Sequence, residues 1–445
     1  MKKLLILTTL IFALSAVQGQ IINPKDKVKT KTTNKTNQKI DEGIDAGIDA
    51  IEDGINSIFK KKEKKEKTKT KTETKTQNGN SKSKSNGDDT DFSQYKGSTF
   101  VPGKDVRYFD NFSNARLGEG AGNWWTISEE GKIGPSIVSM NGSNDQWLRT
   151  MEDGYYYPND LGALPEDVTV EFDAYADEDM LNETHMGFVF QFFGNKNRKE
   201  LINDYGIFSF FTSTEPTVQI DIHPHPGNRG TTMITISKKD NSTDSQFFDL
   251  MANPIARVWK LNEVNHIAIA RKGKALQVFV NGKEYFNQSN VFVSGVTYYP
   301  LFRSHQWYGN AGMYITNFRV GANAPNAVKD FGSEGKFVTS AIYFDTASSR
   351  IKPESWATLN NAAQAIKGTS GTIKIIGHTD SDCADEANLI LSQQRAASVK
   401  NALVNEFGID ASRLVTDGMG EAQPVADNKT AIGKAQNRRV EFIKQ

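Results

Sequence analysis

Hydrophobic positions in the middle of the chain recur at every second residue. Val168, Val170 and Phe172 alternate with polar neighbours, which is the period of a strand with one buried and one solvated face. The same pattern returns several times before residue 322, and Asn281-Gly282 supplies the pair of positive-φ residues that a tight hairpin turn requires. Many short strands separated by turn signals predict one all-β sandwich, which we place at residues 105–322.

The spacing changes after residue 335, where strand-like and helix-like stretches alternate. An alternating stretch around Val338 is followed by a stripe of three- and four-residue steps from Trp356 to Ile366, which predicts a helix. A β-branched strand then leads to Gly377, a second helical stripe ends at Gly408, and two more strands follow. The order β-α-β-α-β-β over residues 335–445 predicts an α+β domain whose helices cover one face of a sheet.

The first 104 residues carry too few apolar side chains for a packed domain. Residues 1–20 combine two lysines, an apolar run and a zone of small residues, which is the pattern of a secretory signal peptide. Residues 21–104 are rich in lysine, threonine, asparagine and serine, and we expect a disordered basic tail there. Isoleucines at three- and four-residue steps within that tail predict a short amphipathic helix at about residues 40–59.

Charge and cysteine content exclude several classes of partner and site. The 53 basic residues equal the 53 acidic ones, so no overall field favours nucleic acid. Cys383 is the only cysteine, which excludes an intrachain disulfide and a cysteine-based metal site. His223-Pro224-His225 could place two imidazoles on one side of an extended segment, but no carboxylate partner can be assigned to them. We therefore expect no metal and no cofactor.

Five stretches of the sandwich region form a recognisable set. They are Tyr108-Phe109-Asp110-Asn111-Phe112-Ser113, Trp124-Trp125, Thr169-Val170-Glu171-Phe172, Val280-Asn281-Gly282 and Tyr314-Ile315-Thr316-Asn317-Phe318-Arg319. In this order they resemble the laminin-G and concanavalin-like jelly rolls of secreted bacterial proteins. The resemblance implies a jelly-roll fold and, by analogy, a glycan as the ligand of the sandwich.

One acidic stretch of the sandwich raises the question of catalysis. Glu171-Phe172-Asp173 is similar to the start of the Glu-x-Asp-x-x-Glu signature of the family 16 glycoside hydrolases, but Ala176 stands where the final Glu should be. We therefore expect these carboxylates to lie on the solvated face of a strand. Four tryptophans of the region could stack on sugar rings: Trp124, Trp125, Trp147 and Trp307. Packing in the core or at the edge of the sandwich explains most of them better.

Six motifs of the C-terminal region occur in a fixed order. They are Tyr343-Phe344-Asp345, Gly377-His378-Thr379-Asp380, Asn388-x-x-Leu391-Ser392-x-x-Arg395-Ala396, Gly418-x-Gly420-Glu421, Pro424-Val425-Ala426-x-Asn428 and Asn437-Arg438-Arg439-Val440-Glu441. Over residues 335–445 they resemble the OmpA-like peptidoglycan-binding domains of Gram-negative envelopes. The resemblance implies non-covalent binding of the diaminopimelate in the stem peptides of the cell wall.

Two opposite charges carry this expectation. Diaminopimelate presents an ammonium and a carboxylate on one carbon, and Asp380 and Arg395 offer the complementary pair. A mere structural ion pair between the two is the alternative. The resemblance implies that Thr379, Asn388 and Arg438 line or orient the pocket and that Asp345 lies at its edge.

Together these expectations describe a non-enzymatic, exported envelope protein. It would link peptidoglycan to the outer membrane or to a glycan-binding sandwich, in the outer membrane or periplasm of a Gram-negative bacterium. Two alternatives stay open: a glycan-degrading enzyme that the C-terminal domain targets to the wall, and an outer-membrane β-barrel with a periplasmic wall anchor. Barrel strands need about 9–11 residues with an apolar outer band, whereas several strands here look shorter and carry charges on that side.

Overall fold

The computed structural model of the protein describes most of the chain after residue 89. The described ranges are 90–128, 135–140, 145–150, 153–176, 187–194, 215–223, 231–239, 255–256, 259–260, 262–305 and 313–445. The predicted signal peptide, the tail up to residue 89 and the amphipathic helix at 40–59 lie outside these ranges. No helix within them is long and apolar enough to cross a membrane.

The described residues from 105 to 322 form strands that belong to two antiparallel sheets. In chain order the strands are β1 (Asp105–Asp110), β2 (Trp124–Ser128), β3 (Ser136–Ser139), β4 (Gln146–Arg149), β5 (Asp153–Pro158), β6 (Asp167–Ala176), β7 (Gly187–Gly194), β8 (Thr217–His223), β9 (Thr231–Lys239), β10 (Ile255–Ala256), β11 (Asn265–Lys272), β12 (Ala275–Val280), β13 (Lys283–Gln288), β14 (Tyr298–His305) and β15 (Met313–Ala322). One sheet has the order β13-β12-β11-β6-β15-β4-β3, with β1 also paired to β15. The other has the order β10-β9-β8-β7-β14-β5-β2.

The two sheets face each other across one hydrophobic core. Side chains alternate along a strand, so one face of β6 presents Val168, Val170 and Phe172, all of them buried in that core. The ring of Phe172 meets that of Phe302, which belongs to the opposite sheet, with centroids 5.5 Å apart. The predicted strand-rich region is confirmed, and its jelly-roll connectivity stays a prediction.

Residues after 326 form a second core from helices and a four-stranded sheet. The elements are α1 (Ala327–Glu334), β16 (Lys336–Thr339), α2 (Trp356–Lys367), β17 (Ile373–Gly377), α3 (Asp385–Asn405), β18 (Leu414–Gly418), α4 (Ala431–Asn437) and β19 (Val440–Lys444). The sheet order is β16-β19-β17-β18, in which β17 and β18 are parallel and the other neighbours antiparallel.

The predicted order β-α-β-α-β-β was wrong in one respect, because α4 lies between the last two strands. This helix has only seven residues, too few for a clear hydrophobic period. Its start is fixed locally, since the Thr430 side chain accepts a hydrogen bond from the backbone N–H of Gly433. A Cβ at Gly433 would collide with the Asp427 carbonyl oxygen, so glycine is needed there.

The stretch from residue 90 to 104, which falls inside the predicted tail, packs against both cores. The ring of Phe92 lies 5.5 Å from that of Trp356 in α2, and the ring of Phe100 lies 5.4 Å from that of Phe279 in β12. The hydroxyl of Thr90 donates to the carbonyl of Ile351 at 2.6 Å. The packed part of the chain therefore begins before residue 105.

Candidate functional site

A cleft of about 360 Å³ lies between the sandwich and the C-terminal domain. Its lining includes all six predicted ligand residues, which belong to the C-terminal domain. The sandwich supplies other lining residues, among them Phe109 and Asn111 from the end of β1. The roles of these six residues stay predictions, and the sequence analysis assigned no ligand residue on the sandwich wall.

Local packing brings the Asp380 loop against helix α3. The strand β17 ends at Gly377, where a Cβ would collide with the carbonyl oxygen of Ser392 in α3. Because the backbone can approach this closely, the loop that begins at His378 lies over the first turns of α3. The carboxylate of Asp380 accepts a hydrogen bond from Arg438 Nη1 on its Oδ2 atom at 2.5 Å. Asp380 is only 9% exposed, whereas the Arg438 side chain is 32% exposed, so the pair is buried on its acidic side only.

Arg395 is held in place by contacts that leave part of its guanidinium available to the cleft. Its Nε donates to the carbonyl of Ser348 at 3.0 Å, and its Cζ lies 4.8 Å from the centre of the Phe344 ring. Among the described residues it has no ion-pair partner, and Asp380 pairs with Arg438 instead. Burial, and then the nearby charge of Arg438, lower the pKa of Arg395 to about 10. It therefore stays cationic at neutral pH.

Asn388 organises the loop and does not point a free amide at a ligand. Its Nδ2 donates to the carbonyls of Asp380 (3.1 Å) and Cys383 (3.0 Å) and to the carboxylate of Glu421 at 2.5 Å. Asn388 and Arg395 are seven residues apart in α3, which is close to two turns, so they lie on one face of that helix. Asn388 thus positions the Asp380 carboxylate relative to Arg395.

Thr379 and His378 leave buried polar atoms without a hydrogen-bond partner among the described residues. Thr379 Oγ1 is such an atom, and Thr379 lines the cleft. The ring nitrogens of His378 also make no hydrogen bond among the described residues, although Nε2 lies 3.5 Å from Glu441 Oε1. Burial, and then the charge of Arg439, lower the pKa of His378 to about 4, so this ring is neutral at pH 7. An unsatisfied buried hydroxyl costs free energy that a bound ligand could recover.

Asp345 lies at the rim of the cleft, as the sequence predicts. Its carboxylate is half-exposed and lies 3.8 Å from Arg350 Nη1. An exposed pair of this length contributes little to stability. Asp345 is therefore an edge residue and not part of the charged pair that would grip a ligand.

A second charged cluster, on the sandwich side of the cleft, overturns one expectation. Glu171 and Asp173 are 2% and 4% exposed, whereas the sequence predicted the solvated face of a strand. Arg319 Nη1 and the Tyr343 hydroxyl both donate to Glu171 Oε1 at 2.8 Å. Tyr343 belongs to the C-terminal domain, so that domain covers the strand face that the alternation had marked as polar.

The cluster also contains an imidazole that bridges its two carboxylates. His266 Nδ1 lies 2.8 Å from Asp173 Oδ1, and its Nε2 lies 3.5 Å from Glu171 Oε2. Burial lowers the pKa of His266, but the hydrogen bonds to Asp173 and Glu171 outweigh burial and raise it to about 10. Burial raises the pKa of Asp173, but the charge of Lys352 and the hydrogen bond with His266 outweigh it and lower the pKa to about 2.

This cluster could be mistaken for a metal site. Ligand atoms of Asp173, His266 and Glu354 lie within 4.8 Å of one another. However, Lys352 Nζ already lies 3.8 Å from Asp173 and 4.0 Å from Glu354. We therefore assign the cluster as an ion-pair network whose cations are side chains.

The tryptophans divide as the packing argument predicts. Trp124 and Trp147 are buried, and Trp125 is half-buried on the outer face of the second sheet. Trp307 lies outside the described residues, as do Pro224 and His225 of the histidine pair.

Comparisons with known proteins concern the C-terminal part of the chain. A model of the OmpA family matches residues 343–438. A probable lipoprotein, YiaD, of Escherichia coli is 48% identical over 102 residues, which are 23% of this chain and 46% of that protein. Outer membrane porin F of Pseudomonas aeruginosa is 43% identical over 128 residues, which are 28% of this chain and 35% of that protein. The chain thus spans less than half the length of these two relatives.

Among solved structures, the peptidoglycan-associated lipoprotein from Burkholderia pseudomallei is 30% identical. The match covers 27% of this chain and 99% of that chain, with a TM-score of 0.23.

Proposed function

We propose that this chain, whose residues 343–438 form an OmpA-family domain, is an exported envelope protein that anchors itself to peptidoglycan without a covalent bond. The observation that carries the proposal is the arrangement of Asp380 and Arg395 in one cleft, each held by neighbours but not paired with the other. Both side chains lie on the wall formed by the matched family domain. A ligand with both charges on one carbon fits such a pair.

The proposed ligand group is the free end of diaminopimelate in a stem peptide. Its carboxylate would accept hydrogen bonds from the Nη atoms of Arg395, and its ammonium would donate to the Asp380 carboxylate. The contacts of Arg395 with Ser348 and Phe344 fix the guanidinium before binding, so little rotamer entropy is lost. Thr379 Oγ1 would gain its missing partner from the same head group.

The named relatives support a location in the cell envelope. They are a probable lipoprotein and an outer membrane porin, which agrees with an envelope location at the outer membrane or in the periplasm. The proposal is binding without catalysis, because Glu171 and Asp173 are occupied by Arg319, His266 and Lys352. Release of sugar from wall polysaccharide by the full chain would contradict that part of it.

Sedimentation of the full chain with purified peptidoglycan tests the proposal. Asp380→Asn removes one charge with little change of volume, Arg395→Gln removes the other with a shorter side chain, and both should abolish co-sedimentation. Asp417→Asn is the matched control, because Asp417 lies in β18 and pairs with Lys374 outside the cleft. Unchanged sedimentation of both cleft variants would contradict the proposal.

A second candidate function, glycan binding by the sandwich, is favoured by the outer face of the second sheet. Tyr156 and Phe302 point into the core, so the residues next to them, Tyr155 and Arg303, point outward. Arg303 is the cross-strand partner of Tyr155, and its Cζ lies 5.3 Å from the centre of the Tyr155 ring. Trp125 and Tyr299 are half-buried on the same face. Aromatic rings beside a cation suit the face of a sugar.

A glycan array tests this second function. We expect Trp125→Ala to lose glycan binding while its sedimentation with peptidoglycan is unchanged. If the wild-type chain binds no glycan on the array, the second function is wrong.

A further inference from the structure

The sandwich wall of the cleft reaches the charged pair directly. Phe109, in β1, lies under Arg438, with 5.2 Å between the Arg438 Cζ and the centre of the Phe109 ring. Arg438 in turn donates to Asp380. A side chain of the sandwich thus holds the arginine that orients the acid of the C-terminal domain.

Asn111 offers a hydrogen-bonding group on the same wall. Its Oδ1 accepts from the backbone N–H of Ser113 at 3.3 Å and from the Ser113 hydroxyl at 2.8 Å, which fixes the orientation of the amide. Its Nδ2 makes no hydrogen bond within the part of the chain that the structure describes, and Asn111 lines the cleft. An amide held in this way can donate to a carbonyl oxygen.

The spacing between the two walls is fixed by contacts across the junction. Thr346 Oγ1 donates to Asp145 Oδ1 at 2.9 Å, and the Tyr343 hydroxyl donates to Glu171. The volume of about 360 Å³ exceeds what one charged head group needs, because pockets of roughly 300–1,000 Å³ hold whole small ligands. The cleft therefore has room for the chain that carries the head group.

We propose that the sandwich forms the second wall of the peptidoglycan site, where Asn111 recognises the stem peptide next to diaminopimelate and Phe109 positions Arg438. This inference rests on the proposed function and extends it from one amino-acid head group to a peptide. Asn111 would donate to a peptide carbonyl of the stem, and Phe109 would act through Arg438 as a positioning residue. The site is then complete only when both domains are present in one chain.

Two ligands and two variants of the full chain separate these roles. Calorimetry would compare free diaminopimelate with a tetrapeptide stem that contains it. Asn111→Ala should weaken binding of the tetrapeptide about fivefold and leave free diaminopimelate unchanged, since one hydrogen bond is lost. Phe109→Leu should weaken both ligands by about two- to fivefold, since the ring under Arg438 is lost. Asn287→Ala, exposed on β13 and outside the cleft, is the control and should change neither.

The failure of this inference can be told apart from the failure of the proposed function. If Asp380→Asn abolishes binding of both ligands while Asn111→Ala and Phe109→Leu bind the tetrapeptide like the wild type, the sandwich wall has no part in recognition and the inference is wrong. If Asp380→Asn binds both ligands normally, the proposed function itself is wrong. Thermal unfolding of each variant confirms that the chain is folded.

Discussion

The junction between the two domains contains two groups of charged side chains that are built in opposite ways. In the sandwich group, Glu171 has Arg319 and Tyr343 as partners, and Asp173 has His266 and Lys352. In the C-terminal group, Arg395 has no ion-pair partner among the described residues, and Asp380 pairs with Arg438 at the side of the cleft. Both groups line the same cleft. Their difference lies in how completely their charges are satisfied.

This difference teaches how to separate a structural network from a binding site. A buried charge is costly unless it is paired, so a pair such as Asp173 with Lys352, which joins the sandwich to the C-terminal domain, helps to fix the domains against each other. Arg395, by contrast, is held in position but has no counter-ion among the described residues, so it is poised for an external anion. We therefore assign the first group to the junction and the second to the ligand, and the predictions below test that division.

The largest expected effect is on stability. Arg319→Met leaves the Glu171 carboxylate buried with one of its two cationic partners removed and should lower the free energy of unfolding by about 3–5 kcal/mol. Urea denaturation of the full chain measures it. The double variant Glu171→Leu, Arg319→Met should lose less than the sum of the two single changes, because each removes the same pair. Additive losses would show that the two side chains do not depend on each other.

The next effect is a dependence of stability on pH. The pKa of His266 is raised to about 10, so the stability it contributes is full below pH 6.5 and is lost as pH rises through 10. The pKa of His378 is lowered to about 4, so its contribution is full above pH 6.5 and is lost as pH falls through 4. Stability should therefore be greatest near pH 6.5 and decrease by a few kcal/mol towards either limit.

Unfolding by urea at a series of pH values tests this dependence. His266→Gln should flatten the alkaline side, and His378→Gln should flatten the acid side between pH 6.5 and pH 4. An alkaline decrease that persists in His266→Gln would contradict the assignment of His266 as the protonated bridge.

A smaller effect is expected at Asn388, which positions the Asp380 loop. Asn388→Ala removes hydrogen bonds to two loop carbonyls and to Glu421 and should weaken peptidoglycan binding about tenfold. Asn401→Ala, exposed on the same helix, is the matched control. Equal binding by the two variants would show that the loop does not need Asn388.

The smallest effect is expected at the rim. Asp345→Ala breaks a half-exposed pair with Arg350 and should change the free energy of unfolding by less than about 1 kcal/mol. Its effect on peptidoglycan binding should be less than about twofold, which a titration of sedimented protein can measure. A loss of peptidoglycan binding as large as that of Asp380→Asn would show that Asp345 contacts the ligand directly.

The sequence predicted the parts of this molecule that depend on local spacing. Asp380 and Arg395 could be assigned to one site from the sequence because a strand end, a loop and a helix bring them together within sixteen residues (380 to 395). The short helix α4 has no clear period and was missed. The alternation in β6 marked Glu171 and Asp173 as one face of a strand, but it could not show that Tyr343 and Lys352, more than 160 residues later, would cover it.

The contact between Phe109 and Arg438 is another long-range contact of this kind. Nothing in the local sequence of either residue indicates it, because it depends on how two regions far apart in the chain pack together. Similarly, the composition of residues 21–104 predicted a tail, yet Phe92 and Phe100 pack once the neighbouring domains offer apolar surfaces. Long-range contacts of this kind decide the burial of polar and apolar residues alike.

The most direct test of the central claim is a calorimetric titration of the full chain with two stem peptides that differ in one residue. One carries diaminopimelate, and the other carries lysine, which keeps the ammonium and lacks the carboxylate that Arg395 would bind. We expect the first peptide to bind and the second to bind at least about tenfold more weakly, because a charge-assisted hydrogen bond is lost. Equal affinity for the two peptides, or no binding of either, would contradict it.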